Sequence, residues 1–313
     1  MNRRVLGTLA AVLLTAASLW WLVATDQLAP VLAGLGAADL RILALVLPLV
    51  VVLQFARAGR FVLLLERMRQ GGLMASFRIS CVHIALNFLL PFKLGEAAFP
   101  LLARRLMGVE LAAGTSTLLT VRILDLGTLF AFLAVSASFA VPSLASWRWL
   151  SLLAAAAALL APLALLVGAR FVQRRIPVLA SIGEVLARAQ ARHIFGQVTL
   201  LSLLVWACHA GVAWLAFAAL GQPVDLATAV FAGACANLAF ALPFQGIAGL
   251  GPVQAAFAWA AVQAGVPTRE AITVALATHA ALLLSGCLLG LLAMLSEPGL
   301  RWWRAPPTGS RPG

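Results

Sequence analysis

The chain has 313 residues, 63% of them hydrophobic and 10% charged, with a mean hydropathy of +1.02. That composition excludes an ordinary soluble domain and marks a polytopic membrane protein. The net charge of +12 does not imply nucleic acid: the arginines lie in short clusters between apolar runs, and no basic stretch is long enough to form a binding surface.

Six runs reach the roughly 20 apolar residues a membrane-spanning helix needs: 5–24, 41–63, 112–140, 149–170, 194–220 and 270–295. None alternates with the period of two that a barrel strand requires, so the expected fold is all-α. The first run follows Arg3 and Arg4. It is too long for a signal peptide and has no clear small-residue cleavage site, so it reads as an uncleaved span. Arginine clusters follow span two (Arg57, Arg60, Arg67, Arg69, Arg78), precede span three (Arg104, Arg105) and fill the loop between spans four and five. Arg301, Arg304 and Arg311 close the chain. The opposite loops carry Asp26, Asp39, Arg148, Asp225, Arg269 and Glu270. This asymmetry is expected to place both termini in the cytoplasm, with the bacterial inner membrane as the location.

Two regions, 74–107 and 226–265, carry the same polar interruption. The first reads Asn87-Phe-Leu-Leu-Pro91-Phe92-Lys93-Leu-Gly95-Glu96. The second reads Asn237 through Leu242-Pro243-Phe244-Gln245-Gly246, continuing to Gly249-Leu-Gly251-Pro252-Val-Gln254. Each is followed by a short apolar segment, a Gly-Val pair (Gly108-Val109, Gly265-Val266) and a long apolar run. Fourteen residues beyond each of those glycines stands an ionisable group, Arg122 or His279. The apolar segments around each interruption are short, so each region is expected to be a re-entrant helical hairpin. The charge pattern opens the first on the cytoplasmic side and the second on the outer side. The expected architecture is therefore one integral membrane domain over 1–313, with about six spans and two re-entrant hairpins. Its repeats, about 41–140 and 194–295, are inverted relative to each other. Broken segments in matching positions of two halves point to a substrate site.

Between the repeats, residues 173–192 place Val178, Leu179, Ile182, Val185, Leu186 and Ala189 on one side and arginines on the others. An amphipathic helix on the cytoplasmic interface is expected there. The tail 298–313 holds Trp302-Trp303 and then Pro, Gly and Ser, an interfacial anchor followed by disorder.

The polar residues of the repeats are the candidate substrate-binding set. Arg122 and Asp125, three apart, share a helix face. They are either a self-neutralising packing pair or an anion-binding arginine with an orienting carboxylate, since an arginine in a span needs a partner or a wet cavity. Lys93, the only lysine, and Glu96 sit where Pro91 and Gly95 break the helix. They are either headgroup ligands or a pair at the membrane boundary. Asn87 and Asn237 either cap the hairpin legs or line the site. Gly249 and Gly251 permit tight turns and close helix approach. No strand precedes them, which removes a nucleotide-binding loop. His279 is either titratable or a hydrogen-bonded interior residue. Arg57 and Arg60 read chiefly as snorkelling anchors, with a place in the lining of the same cavity as the alternative, and His83, His193 and His209 as structural. The four cysteines have no close pair and read as packing residues. No catalytic triad, Walker motif or metal cluster is evident, and no cofactor is expected.

The string Leu90-Pro91-Phe92-Lys93-Leu94-Gly95-Glu96 with Arg104-Arg105 resembles the membrane region of lysylphosphatidylglycerol synthases. So do Leu242-Pro243, Gly249-Leu250-Gly251, Gly265-Val266 and the closing span. This region defines a group of flippase-like proteins that includes hopanoid-associated membrane proteins. The resemblance runs over roughly 5–295 and implies a multi-span fold with re-entrant segments that moves or handles lipid. The matching positions are Pro91, Gly95, Glu96, Arg122, Pro243, Gly249 and Gly251. Gln254 stands where the family often has glutamate, and His279 where it often has arginine. The chain ends near residue 313, where the full synthases continue into a soluble aminoacyltransferase domain, so synthesis of lysyl-lipid is not expected.

The leading expectation is a lipid transporter or flippase-like protein holding a polar or anionic headgroup in an intramembrane pocket. A membrane-embedded lipid-modifying enzyme, with Glu96 or Asp125 as general base, and a non-transporting partner that recruits such an enzyme stay open as alternatives. The expected partner is a membrane lipid. Homo-oligomerisation is left open.

Overall fold

The structure, a computed structural model, describes residues 3–172, 177–242 and 246–297. Every regular element among them is helical. α1 (Arg3–Ala24), α2 (Leu28–Gly36) and α3 (Leu40–Ala44) lead into the first half: α4 (Val46–Leu64), α5 (Glu66–Gly71), α6 (Leu73–Leu89), α7 (Ala98–Met107) and α8 (Leu111–Ala140). A linking pair, α9 (Arg148–Val172) and α10 (Pro177–Ala191), precedes the second half: α11 (Phe195–Ala219), α12 (Leu226–Ala241), α13 (Pro252–Gln263) and α14 (Thr268–Ser296). Five helical stretches are long and apolar enough to cross a membrane: Leu40–Leu64, Leu111–Ala140, Pro142–Ala161, Phe195–Ala219 and Thr268–Ser296. They correspond to the second through sixth expected spans; α1 occupies the position of the first. The chain is an integral membrane protein.

Apart from the short α5 of the first half, each half runs through the same succession: a long helix, a helix of 17 or 16 residues, a 3-10 turn, a helix of 10 or 12 residues, and a helix of 30 or 29. Local chemistry sets the breaks. Pro91 opens the first 3-10 turn (Pro91–Ala97), where its missing N–H costs no hydrogen bond. Gly108 ends α7 in the left-handed region and Gly265 has φ +89 after α13. Asp225 caps α12 by accepting from the Thr228 backbone N–H at 2.7 Å. At 1.5 Å per residue, α7 and α13 are about 15–18 Å long, well short of a hydrocarbon core about 30 Å thick.

Packing exchanges elements between the halves. α6 lies on α14 just as α12 lies on α8, α4 pairs with α11, and the first 3-10 turn touches the second (Ile247–Gly249). Small residues allow these crossings: a Cβ on Gly290 would fall 2.4 Å from the Ala85 Cβ, and one on Gly233 3.3 Å from the Ala213 Cβ. Each half has its own stacked aromatic pair, Phe61 on Phe99 at 3.9 Å and Phe217 on Phe257 at 5.7 Å. Phe99 follows Glu96 by three residues, as Phe257 follows Gln254. Outward positions such as Trp149, Leu153 and Leu284 are exposed and apolar, as a lipid-facing surface requires.

The amphipathic segment of the linker is α10. Ile182 and Leu186 on its apolar side are buried against Ile123 and Phe195. Residues 173–176 and the tail 298–313, with its expected disorder, lie outside the described residues.

Candidate functional site

The polar residues of the two halves converge where the 3-10 turns meet. At the first turn, Lys93 adopts φ +58; at the second, Ala248 adopts φ +54. Both turns thus hold a non-glycine residue in the left-handed region, a conformation that surrounding structure must enforce. Gly95 makes the first turn possible: a Cβ there would lie 2.3 Å from the Asn87 Cα, so no other residue lets the turn lie against α6.

That close approach carries Glu96 to Asn87 and Arg122. Asn87 donates its amide to Glu96 Oε1 at 3.0 Å. Arg122 grips both carboxylate oxygens, Nη2 to Oε1 at 2.6 Å and Nε to Oε2 at 3.1 Å, the two-pronged geometry a guanidinium favours. His83 Nε2 lies 3.5 Å from Glu96 Oε2. Deeper, Arg60 of α4 is 1% exposed and donates to Asp125 and, at 3.0 Å, to Ser202 Oγ of α11. Arg57 donates to Nε2 of His209 across the halves at 3.2 Å, which leaves that ring's proton on Nδ1.

Between the halves is a cavity with about 70 Å3 of space for water-sized occupants, enough for several waters or a compact polar group. Its polar lining comes from both sides: Gln54, Arg57 and Asn87 from one half, His209, Asn237 and His279 from the other. From the first turn, Lys93 reaches Phe240 in the cavity wall, its Nζ 3.3 Å from the ring centre. His279 Nε2 is 2.8 Å from the Ala248 carbonyl and donates to it, tying α14 to the second turn. Asn237 donates to the Gly233 carbonyl at 2.8 Å, a bond within its own helix.

The cluster holds four cations, Arg57, Arg60, Lys93 and Arg122, against two carboxylates, Glu96 and Asp125. Both carboxylates pair with Arg60 and Arg122. Among the described residues, no carboxylate lies within 4.0 Å of Arg57 or Lys93. Of the four, Arg57 lines the cavity, and a buried cation without a counterion attracts an anion.

The structure therefore gathers Asn87, Lys93, Glu96, Arg122, Asp125, Asn237 and His279 around the meeting of the turns. It places Gln254 and Gly251 elsewhere: the Gln254 side chain accepts from the Gly251 backbone N–H at 2.7 Å, capping α13. Gly249 packs against the His279 ring. Pro91 starts its turn, and Pro243 lies outside the described residues. Asp125 forms the expected pair with Arg122, Nη1 to Oδ2 at 3.6 Å, and a closer one with Arg60 of α4 that was not expected. Lys93 and Glu96 do not pair, because the turn sends one to Phe240 and the other to Arg122.

The reading of Arg57 and Arg60 as snorkelling anchors is corrected. Arg60 is buried and ion-paired, and Arg57 lines the cavity. His209, read as structural, shares that lining. A signal for all three was present. Gln54, Arg57 and Arg60 recur at the three-residue spacing of one helix face. His209 follows Arg57 by 152 positions, as Pro243 follows Pro91.

The sequence model of one family, described as the lysylphosphatidylglycerol synthase TM region, matches residues 8–290. The chain belongs to that family, whose members are membrane proteins related to lipid handling. No curated protein and no solved structure matches the chain.

Proposed function

We propose that this member of the lysylphosphatidylglycerol synthase transmembrane family binds the anionic or polar headgroup of a membrane lipid between its two halves and moves it across the bilayer. The observation that carries the reading is the excess of cations: Arg57 lines a cavity at the meeting of two broken helical segments and Lys93 lies against its Phe240 wall, neither with a carboxylate within ion-pair reach among the described residues. A headgroup phosphate would accept from both while its acyl chains stay in lipid.

The ends of the helices support an inverted, alternating-access arrangement. Arg78 at the start of α6 lies 3.4 Å from Glu297 after α14, and Arg192 after α10 donates to the Leu63 carbonyl at the end of α4. On the other side, Asp39 bonds the end of α11 through the Ala219 carbonyl, and Arg269 reaches Pro30 at 3.5 Å. These two groups of helix ends favour reading the segments as two re-entrant hairpins that open on opposite sides. The positive-inside asymmetry assigns the Arg78 side, and both termini, to the cytoplasm of a bacterial inner membrane. The present cavity is smaller than a large headgroup, so entry requires the turns to part. The function is read as transport rather than catalysis because both carboxylates are occupied by arginines.

Native mass spectrometry of the detergent-purified chain, titrated with anionic and zwitterionic phospholipids, tests the binding step. Anionic lipid should be retained at least tenfold better, and Arg57→Gln should erase the preference. Equal retention of both classes by the wild type would defeat the proposal.

A further inference from the structure

A second, smaller void lies behind Arg57, separate from the main cavity. Arg57, Arg60, Ser80, His83 and Arg122 supply its polar lining, and Phe61, Ile84, Leu118 and Val121 its apolar walls. No acidic residue lines it. Arg60 is 1% exposed, Ser80 1% and His83 3%. The Arg60 Nε and Ser80 Oγ atoms are buried and hydrogen-bond no atom of the described residues, while His83 Nε2 lies 3.5 Å from Glu96 Oε2. The carboxylates of the cluster engage other edges of the guanidiniums: Asp125 takes Arg60 Nη1, and Glu96 takes Arg122 Nε and Nη2.

Buried donors ordinarily have acceptors, and buried cations have counterions. Here the donors converge on one void while the positive charge of the cluster exceeds its negative charge. The space is about 10 Å3 for a water-sized occupant, which suits a single monoatomic ion and excludes phosphate or carboxylate. We propose that this void binds one chloride-sized monoanion, held by Arg57, Arg60 and Ser80 with His83 and Arg122 at its edge. The ion offsets the surplus positive charge of the cluster and sits on the far side of Arg57 from the headgroup cavity. It stands independently of whether lipid is transported.

Equilibrium binding of radiolabelled chloride to the full chain, purified in detergent and chloride-free gluconate buffer, tests this. The expected result is saturable binding of one chloride per chain, displaced by bromide but not by phosphate. Arg57→Gln and Ser80→Ala should each weaken it tenfold or more, whereas Arg41→Gln, an exposed cation of α3, should bind like the wild type. A cooperative thermal melt for each variant establishes that it is folded. Folded wild type without saturable chloride binding would mean the void holds water only and would overturn the proposal. Loss in Arg57→Gln with unchanged binding in Ser80→Ala would move the anion into the main cavity and overturn it equally.

Discussion

Arg122 and Glu96 stand 26 positions apart and close on each other through two hydrogen bonds, at 2.6 and 3.1 Å, which fasten the first 3-10 turn to the middle of α8. The turn bends back only because Gly95 lets it lie on the α6 backbone. Glu96→Gln should therefore loosen the turn without dissolving the fold. Losing one charged partner of this half-exposed pair costs about 1–3 kcal/mol. A drop of several degrees in the melting temperature, with lipid movement reduced at least tenfold, is the expected outcome. A variant that melts and transports like the wild type would remove the turn from the mechanism.

Asp125 and Arg60 make a different kind of pair, almost sealed from solvent. Asp125→Asn leaves a guanidinium buried without its counterion, and breaking such a pair costs about 3–5 kcal/mol. Arg60→Met combined with Asp125→Leu removes both charges and should recover much of that loss. Chemical denaturation of the two single variants and the double variant in detergent measures the coupling. Additive losses would show that the two residues act separately.

Gly95 and Gly36 form an internal control. A methyl group on Gly95 meets the α6 backbone at 2.3 Å, whereas one on Gly36 meets nothing within 4 Å. Gly95→Ala should cost about 3 kcal/mol by overpacking, and Gly36→Ala should stay within about 0.5 kcal/mol. Thermal melts of the two purified variants give the comparison. Equal melting points would contradict the close approach of the turn to α6.

Much of the architecture was legible in the chain. Five of the expected spans coincide with helices because long apolar runs have one solution in lipid, and the first Leu-Pro-Phe break coincides with the 3-10 turn Pro91–Ala97 because proline and glycine cannot continue a helix there. The pairing inside the site was not legible. Glu96 follows Lys93 by three residues and invites an ion pair, but the positive φ of Lys93 turns the two side chains apart. Arg57 and Arg60 sit near the end of a basic-flanked span, where local sequence cannot separate an anchor from a cavity wall. Only the approach of α8 and α11 decides it.

Lys93 joins the first turn to α12 through the Phe240 ring while holding a left-handed backbone. Lys93→Gly removes that backbone strain, worth about 1–2 kcal/mol, together with a cation–π contact of about 0.5–2 kcal/mol. Stability should change by less than about 1 kcal/mol as these offset. Anionic-lipid retention should fall at least fivefold by native mass spectrometry. Unchanged retention would remove Lys93 from the headgroup site.

The most direct test of lipid movement through the cation-rich cavity uses headgroup-labelled lipids in proteoliposomes, with wild type beside Arg57→Gln and Glu96→Gln. A panel of anionic, zwitterionic and neutral lipids is followed by the loss of label from one leaflet. The expected result is movement of an anionic class by the wild type, reduced at least tenfold in both folded variants. Folded wild type that moves no lipid of any class, or variants that move it as fast as wild type, would contradict transport through this cavity.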